Sequence, residues 1–170
     1  MYRMIVRRIA RRAYRHLSDG DYEAVLASFA PTVDFCFIGR HALGGELRGV
    51  ELARGWFQRV YRLFPDLHFE PLDIIVSGPP WNTMVATRFR VEAHLPGGRP
   101  YRNEGMQFLR LRWGRVVEDR LYEDLDVLSA ALHILAANGC DEAAAPPLGP
   151  IPSWVEAAFD DATPLAGMTA

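Results

Sequence analysis

The chain contains no lysine; all 19 of its basic residues are arginine. That usage reads as base composition rather than chemistry. It still matters locally, because a guanidinium fork can hold a carboxylate or phosphate with two bonds. Cysteine is scarce. Cys36 and Cys140 are too few for a disulfide framework or a cysteine-based zinc site. Neither charge sign is in excess: 19 basic and 21 acidic residues leave a net charge of −2. A dedicated nucleic-acid binder carries a basic surplus, so no nucleic-acid partner is expected. No apolar run approaches the length of about 18 residues that marks a membrane span, so no membrane partner is expected. Of the five histidines, His41, His68, His94 and His133 are scattered and show no H-x-x-H or H-E-x-x-H spacing, which argues against a metal. There is no G-x-S-x-G or Cys–His signature, and no glycine-rich phosphate loop opens a helix. What remains is a chain of 170 residues, 49% apolar, sized for one domain and expected in the cytoplasm.

Residues 1–16 carry six arginines and no acid. Tyr2, Ile5, Val6, Ile9, Ala10, Ala13, Tyr14 and Leu17 follow the i, i+3, i+4 spacing of one helix face, so the segment reads as the first helix of the fold. The alternative is a basic patch for an anionic partner. Asp21 caps a second short helix that ends at Pro31. Thr32–Ile38 alternates and predicts a strand, and His41–Gly49, with three glycines, predicts a loop. Val50–Phe64 returns to helical spacing and stops at Pro65. Leu67–Ser77, Thr83–Leu95, Pro100–Trp113 and Arg115–Leu125 are long strands joined by tight turns, hence antiparallel. Asp126–Ala137 reads as a late helix ended by Asn138-Gly139. The domain therefore covers residues 1–140. Residues 141–170 hold five acids, no arginine and five of the twelve prolines, and predict a loose acidic tail. Within that tail, Ser153–Phe159 could form an amphipathic turn that docks on the domain or a partner. The fold class is α+β: a curved antiparallel sheet packed with three N-terminal helices, enclosing a cone fit for a small ligand.

Several motifs occur in the same order as in the NTF2-like superfamily. They are Ser18-Asp19-Gly20-Asp21-Tyr22, Phe29-Ala30-Pro31-Thr32-Val33, Leu47-Arg48-Gly49-Val50, Phe64-Pro65-Asp66-Leu67-His68-Phe69 and Gly114-Arg115-Val116-Val117-Glu118. Over roughly residues 5–137 the chain resembles that superfamily, and within it the SnoaL-like branch. The resemblance implies a cone-shaped barrel with a pocket between the concave sheet and the helices, and usually a homodimer through the outer sheet face. Its members include polyketide cyclases, ketosteroid isomerases, limonene-type epoxide hydrolases and non-catalytic binding proteins, so the fold alone does not fix function.

Carried over residue by residue, the epoxide-hydrolase pattern places Arg88 at its arginine. Its two aspartates fall on Arg90 and Leu121, and its tyrosine and asparagine on Phe35 and Phe37. Four of the five are lost, and limonene-type hydrolysis is not expected. The acid of the SnoaL-type cyclases also falls on Leu121. Asp119, two residues earlier on the same strand face, is either a displaced catalytic carboxylate or an exposed strand-end acid. From the ketosteroid isomerases, Tyr14 matches the helix tyrosine, and Glu104 or Asn103 falls near the acid that holds the enolate oxygen. The base falls on Phe35, and the neighbouring Asp34 points to the opposite face unless the strand is bulged. Tyr14 reads equally as a packed core residue. Arg88, Arg90 and Glu92 alternate and share one face, expected to look into the cone. There they would meet Asp119, Glu104 or an anionic ligand group; a structural ion-pair network is the alternative.

The leading expectation is a cofactor-independent isomerase or cyclase acting on an apolar, carbonyl-bearing small molecule. Tyr14, Arg88, Glu104 and Asp119 would be its catalytic residues. Phe35, Phe37, Trp56, Phe57, Phe64, Arg90 and Leu121 would bind the substrate. The alternative is a ligand-binding or dimerisation domain of the same fold without chemistry. A third reading is an adaptor that uses the basic first helix and the acidic tail.

Overall fold

The computed structural model describes residues 1–153. Helix α1 (Tyr2–Ser18) buries Val6, Tyr14 and Leu17 and turns Arg8, Arg11, Arg12 and Arg15 to solvent, as its spacing predicts, but Ile5 and Ile9 of the expected apolar face stand exposed. Asp21 caps α2 (Tyr22–Leu26) by accepting from the Ala24 amide at 3.3 Å. Strand β1 (Phe29–Phe37) follows, then β2 (Gly45–Arg48) and α3 (Val50–Leu63). Strands β3 (His68–Ser77), β4 (Thr83–Leu95), β5 (Arg99–Arg112) and β6 (Arg115–Glu123) form an antiparallel meander. Helix α4 (Leu125–Ala137) is capped by Asp124, whose carboxylate accepts from the amides of Asp126 and Val127. No helix among the described residues is long and apolar enough to cross a membrane.

The six strands form one sheet in the order β2-β1-β6-β5-β4-β3. Two features depart from the sequence reading. Gly45–Arg48, expected within a loop, is an edge strand paired with Asp34–Phe37. Its only apolar residue, Leu47, sits among glycines and charged neighbours, too short a pattern to show alternation. Strands β1 and β6 also run parallel, because the chain leaves β1 and β2, starts the meander at the far edge with β3, and runs back strand by strand to β1's free edge. Register shifts lie between Pro71 and Asp73 in β3, beside Arg110–Leu111 in β5, and between Phe29 and Asp34 in β1. Each shift bends the sheet, and together they curl it around α3.

The concave face carries Phe35, Phe37, Phe89, Val91, Tyr101 and Leu121, packed against Trp56, Phe57 and Val60 of α3. Trp56 Nε1 donates to the Leu43 carbonyl at 2.7 Å, so its indole is buried without an orphan donor. The stretch after Cys140, expected to be loose, is held as far as Pro150. Ala143 is buried, Arg62 forms a two-pronged pair with Glu142 at 2.6 and 2.9 Å, and the Glu46 amide donates to the Pro150 carbonyl at 2.8 Å. The amphipathic turn expected at 153–159 lies, beyond its first residue, outside the described residues.

Candidate active site

The site grows from the alternation of β5 and β6. On β6, Asp119, Leu121 and Glu123 face the concave side; on β5, Tyr101, Asn103, Gly105, Gln107 and Leu109 do. Asp119 lies opposite Leu109 on β5 and Phe35 on β1, and is 1% exposed. Of the two sequence readings for this acid, the structure gives the inward-pointing one. Both carboxylate oxygens accept from Gln107 Nε2 at 3.0 Å. The other end of the same amide, Gln107 Oε1, accepts from the Tyr14 hydroxyl at 2.8 Å. A single glutamine therefore links the helix tyrosine to the strand aspartate.

Burial dominates the electrostatics. It raises the Asp119 carboxyl from its ordinary value of 3.8 to about 7. The Gln107 donor and the positive charge of Arg120 pull the other way and do not offset it. Tyr14 is pushed well above the ordinary phenol value, first by burial and then by the neighbouring Asp119 charge. At neutral pH the tyrosine is a neutral donor, and the aspartate holds a proton far more readily than an exposed carboxyl does.

These groups form one end of a cavity of about 170 Å³ between α1 and the β4–β6 part of the sheet. Its walls are almost wholly apolar, with Val6, Ala13, Phe29, Val85, Leu111 and Val116 among them, and its rim includes the exposed Ile5 and Ile9. Behind Tyr14 and Asp119, deeper in the cone, Phe35, Trp56, Phe57 and Phe89 leave a gap of only about 30 Å³.

Phe35, Phe37, Trp56, Phe57, Phe64 and Leu121 are buried in the cone as expected, but they divide among three settings. Phe57 touches the main cavity; Phe35 and Leu121 border the small gap behind Asp119. Phe37 and Phe64 lie further off, around a separate gap of about 30 Å³ with Tyr101 and Glu123. The expectation for Arg88, Arg90 and Glu104 is corrected. They stand on the outer face of the sheet, not in the cone. On β4 the residues Val85, Thr87, Phe89 and Val91 point inward, so the arginines between them point out. Arg90 bridges Glu70 and Glu104 at 3.1 Å each, and Arg88 pairs with Asp73 at 2.9 Å. The charge pattern of β4 is thus a half-exposed network, and Asp119 is not its partner. Asp34 also points outward, to Arg120 at 3.1 Å.

Sequence reasoning missed two polar groups, and parity could have found both. Gln107 is a polar residue two places from Leu109 and Gly105 on a strand whose odd positions face inward. Glu123 shares the face of Asp119 and Leu121. Its carboxyl accepts from Asn103 Nδ2 at 3.2 Å and from the Tyr101 hydroxyl at 3.4 Å, and burial raises it to about 7.

Comparison with solved structures finds the same fold in several other proteins. PrhC from Penicillium brasilianum superposes with a TM-score of 0.72 at 21% identity, covering 84% of this chain and 95% of its own. A SnoaL-like polyketide cyclase candidate from Jannaschia gives 0.61 at 20% identity, covering 75% and 89%. IdmH from Streptomyces antibioticus, a candidate polyketide cyclase, gives 0.59 at 26% identity, covering 71% and 93%. No curated protein matches the sequence. The family model for the SnoaL-like domain matches residues 10–119, from within α1 to Asp119 itself, and on that match the chain belongs to the SnoaL-like family, with the NTF2-like fold.

Proposed function

We propose that the protein moves a proton on an apolar carbonyl compound, isomerising or cyclising it without a cofactor, with Asp119 as the acid–base group. The observation that carries this reading is a buried carboxyl, ionising near neutrality, at the end of an apolar cavity. A general acid–base works best when its pKa lies near the working pH. In the ionised form Asp119 takes a proton from the carbon beside the carbonyl, and the C–H electron pair becomes an enolate. Where a double bond lies β,γ to the carbonyl, the anion is a dienolate, and Asp119 returns the proton at the γ-carbon, giving the conjugated isomer. Alternatively the enolate attacks a second carbonyl of the same molecule, and Asp119 returns the proton to the new alkoxide. Gln107 fixes the carboxylate, and Tyr14 fixes Gln107. A substrate oxygen beside Tyr14 competes with Gln107 for the phenol proton and is stabilised by it. Arg88, Arg90 and Glu104 have no part in this reading, since they stand on the opposite face of the sheet.

The test is solvent deuterium uptake, read by mass spectrometry, for a set of apolar cyclic ketones in D₂O. The wild type is expected to accelerate uptake. Asp119→Asn should slow it by about 100-fold or more, the usual weight of a positioned acid–base group. Tyr14→Phe should slow it less and shift the pH at which the rate levels off. Ketones that bind without exchanging would favour the second reading, a binding domain without chemistry. One observation supports that alternative: aromatic rings fill the deeper cone.

The homodimer and the cytoplasmic setting belong to the same proposal. Ile75, Met106, Phe108 and Tyr122 are exposed apolar residues of the outer sheet face, suited to a second copy. Both described cysteines are free thiols.

A further inference from the structure

A second surface draws together features that neither the cavity chemistry nor the fold requires. Trp81, in the β3–β4 turn, and Trp113, in the β5–β6 turn, are 58% and 74% exposed. Their ring centroids lie 6.0 Å apart, and the Trp113 amide donates to the Pro80 carbonyl at 2.8 Å, so the two turns form one tip. Trp113 is the one described non-glycine residue with a left-handed backbone, at φ +51°. A bulky side chain is strained there, and glycine or asparagine would serve the turn better.

The start of α1 reaches the same tip. The Tyr2 hydroxyl lies 2.6 Å from the Thr83 hydroxyl, two residues beyond Trp81. From there Met4, Ile5 and Ile9 project into solvent, between 51% and 65% exposed. Helical spacing places Arg8 and Arg12 beside Ile5 and Ile9. Among the described residues none of the six α1 arginines is in an ion pair, whereas Arg88, Arg90, Arg102, Arg110 and Arg120 of the sheet each are. Ile5 and Ile9 are also part of the cavity rim, and Gly114, next to Trp113, lines the cavity.

We propose that this end of the molecule docks on the surface of an anionic lipid bilayer, with the cavity mouth against the lipid. Two tryptophans at a tip, a helix flank of large aliphatic residues and arginines without acidic partners are the elements of an interfacial anchor. The charge selects the occupant: an arginine-rich flank with no acid is complementary to anionic headgroups. The contact needs no spanning helix. An apolar compound dissolved in the membrane would then meet the apolar rim without crossing water. The proposal is independent of the proton-transfer reading, because its readout is binding alone.

The test uses the full chain with vesicles of phosphatidylcholine alone or mixed equally with phosphatidylglycerol. Sedimentation and tryptophan emission are recorded at low and high salt. The protein should sediment with the anionic vesicles and shift its emission to the blue, and salt should reverse both. Arg8→Gln with Arg12→Gln should weaken partitioning about thirtyfold, each surface arginine giving about fivefold. Trp81→Ser with Trp113→Gly, which suits the backbone of both turns, should abolish the emission shift while leaving thermal unfolding cooperative. The proposal is overturned if the anionic vesicles leave the protein in solution. It is equally overturned if neutral and anionic vesicles bind alike, or if the tryptophan variant sediments as the wild type does. If acrylamide cannot reach Trp81 and Trp113 in vesicle-free protein, another protein segment or a second copy already occupies the tip, and the lipid proposal falls.

Discussion

Replacing Asp119 with asparagine should make the protein more stable at alkaline pH and change how its stability depends on pH. Burial raises the carboxyl from 3.8 to about 7 in the folded chain, and unfolding returns it to solvent and its ordinary value. The native state therefore holds a proton that the unfolded chain releases. Stability linked to this group is complete below pH 4, declines as pH rises from about 4 to 7, and is constant above. The difference corresponds to about 4 kcal/mol between the two ends of that window, a large part of the stability of a domain this size. Asparagine is nearly isosteric, keeps an oxygen acceptor for Gln107, and cannot ionise. Urea unfolding of the wild type and Asp119→Asn at pH 5 and at pH 8 isolates the effect. Glu123, also raised to about 7, is common to both proteins and cancels in the comparison. The variant should gain about 2–3 kcal/mol on the wild type in going from pH 5 to pH 8, the rest of the difference lying below pH 5. Equal pH dependence in the two proteins would show that Asp119 is not held in a desolvated site, and the proton-transfer reading would lose its basis.

Gly105 faces Phe89 and Glu123, and a methyl group there would come within 2.5 Å of the Phe89 ring and the Tyr122 carbonyl oxygen. Gly105→Ala should therefore destabilise the protein by about 1–3 kcal/mol in denaturant unfolding, as overpacking does. Arg90→Met removes two half-exposed pairs on the outer face and should change stability by less than about 1 kcal/mol, with deuterium uptake by the ketones unaltered. A large loss of uptake in that variant would return the outer face to the chemistry.

Most of the architecture was legible because hydrophobic period sets element type, and turn residues set the breaks. The helix α1, α3, the four meander strands and the Asp21 cap all follow from local pattern. What escaped was non-local. Strand β2 is defined by its pairing with β1, and a lone Leu47 cannot announce a partner. The parallel contact of β1 with β6 depends on where the last strand returns. The site divided in the same way. Asp119 was found by its parity with Leu121, and Tyr14 by its match to the helix tyrosine of the ketosteroid isomerases. Arg88 and Arg90 were assigned to the cone by borrowed register, although their apolar neighbours Val85, Phe89 and Val91 already claimed the inward side. Gln107 went unnoticed because an isolated glutamine matches no catalytic pattern; its role exists only when β5 is set between α1 and β6.

The glutamine between Tyr14 and Asp119 also limits what the site can exchange. An amide neither gains nor loses a proton in the range where Asp119 titrates, and Tyr14 is held neutral well beyond it. The cluster therefore changes its charge by one unit and no more. Among the described residues, the proton Asp119 lifts from a bound molecule has no carboxylate or imidazole beside it to pass to; it returns to the substrate or exchanges with water at the open cavity mouth. A transformation matched to this arrangement ends with the proton count of the substrate unchanged. Double-bond migration and internal ring closure meet that condition.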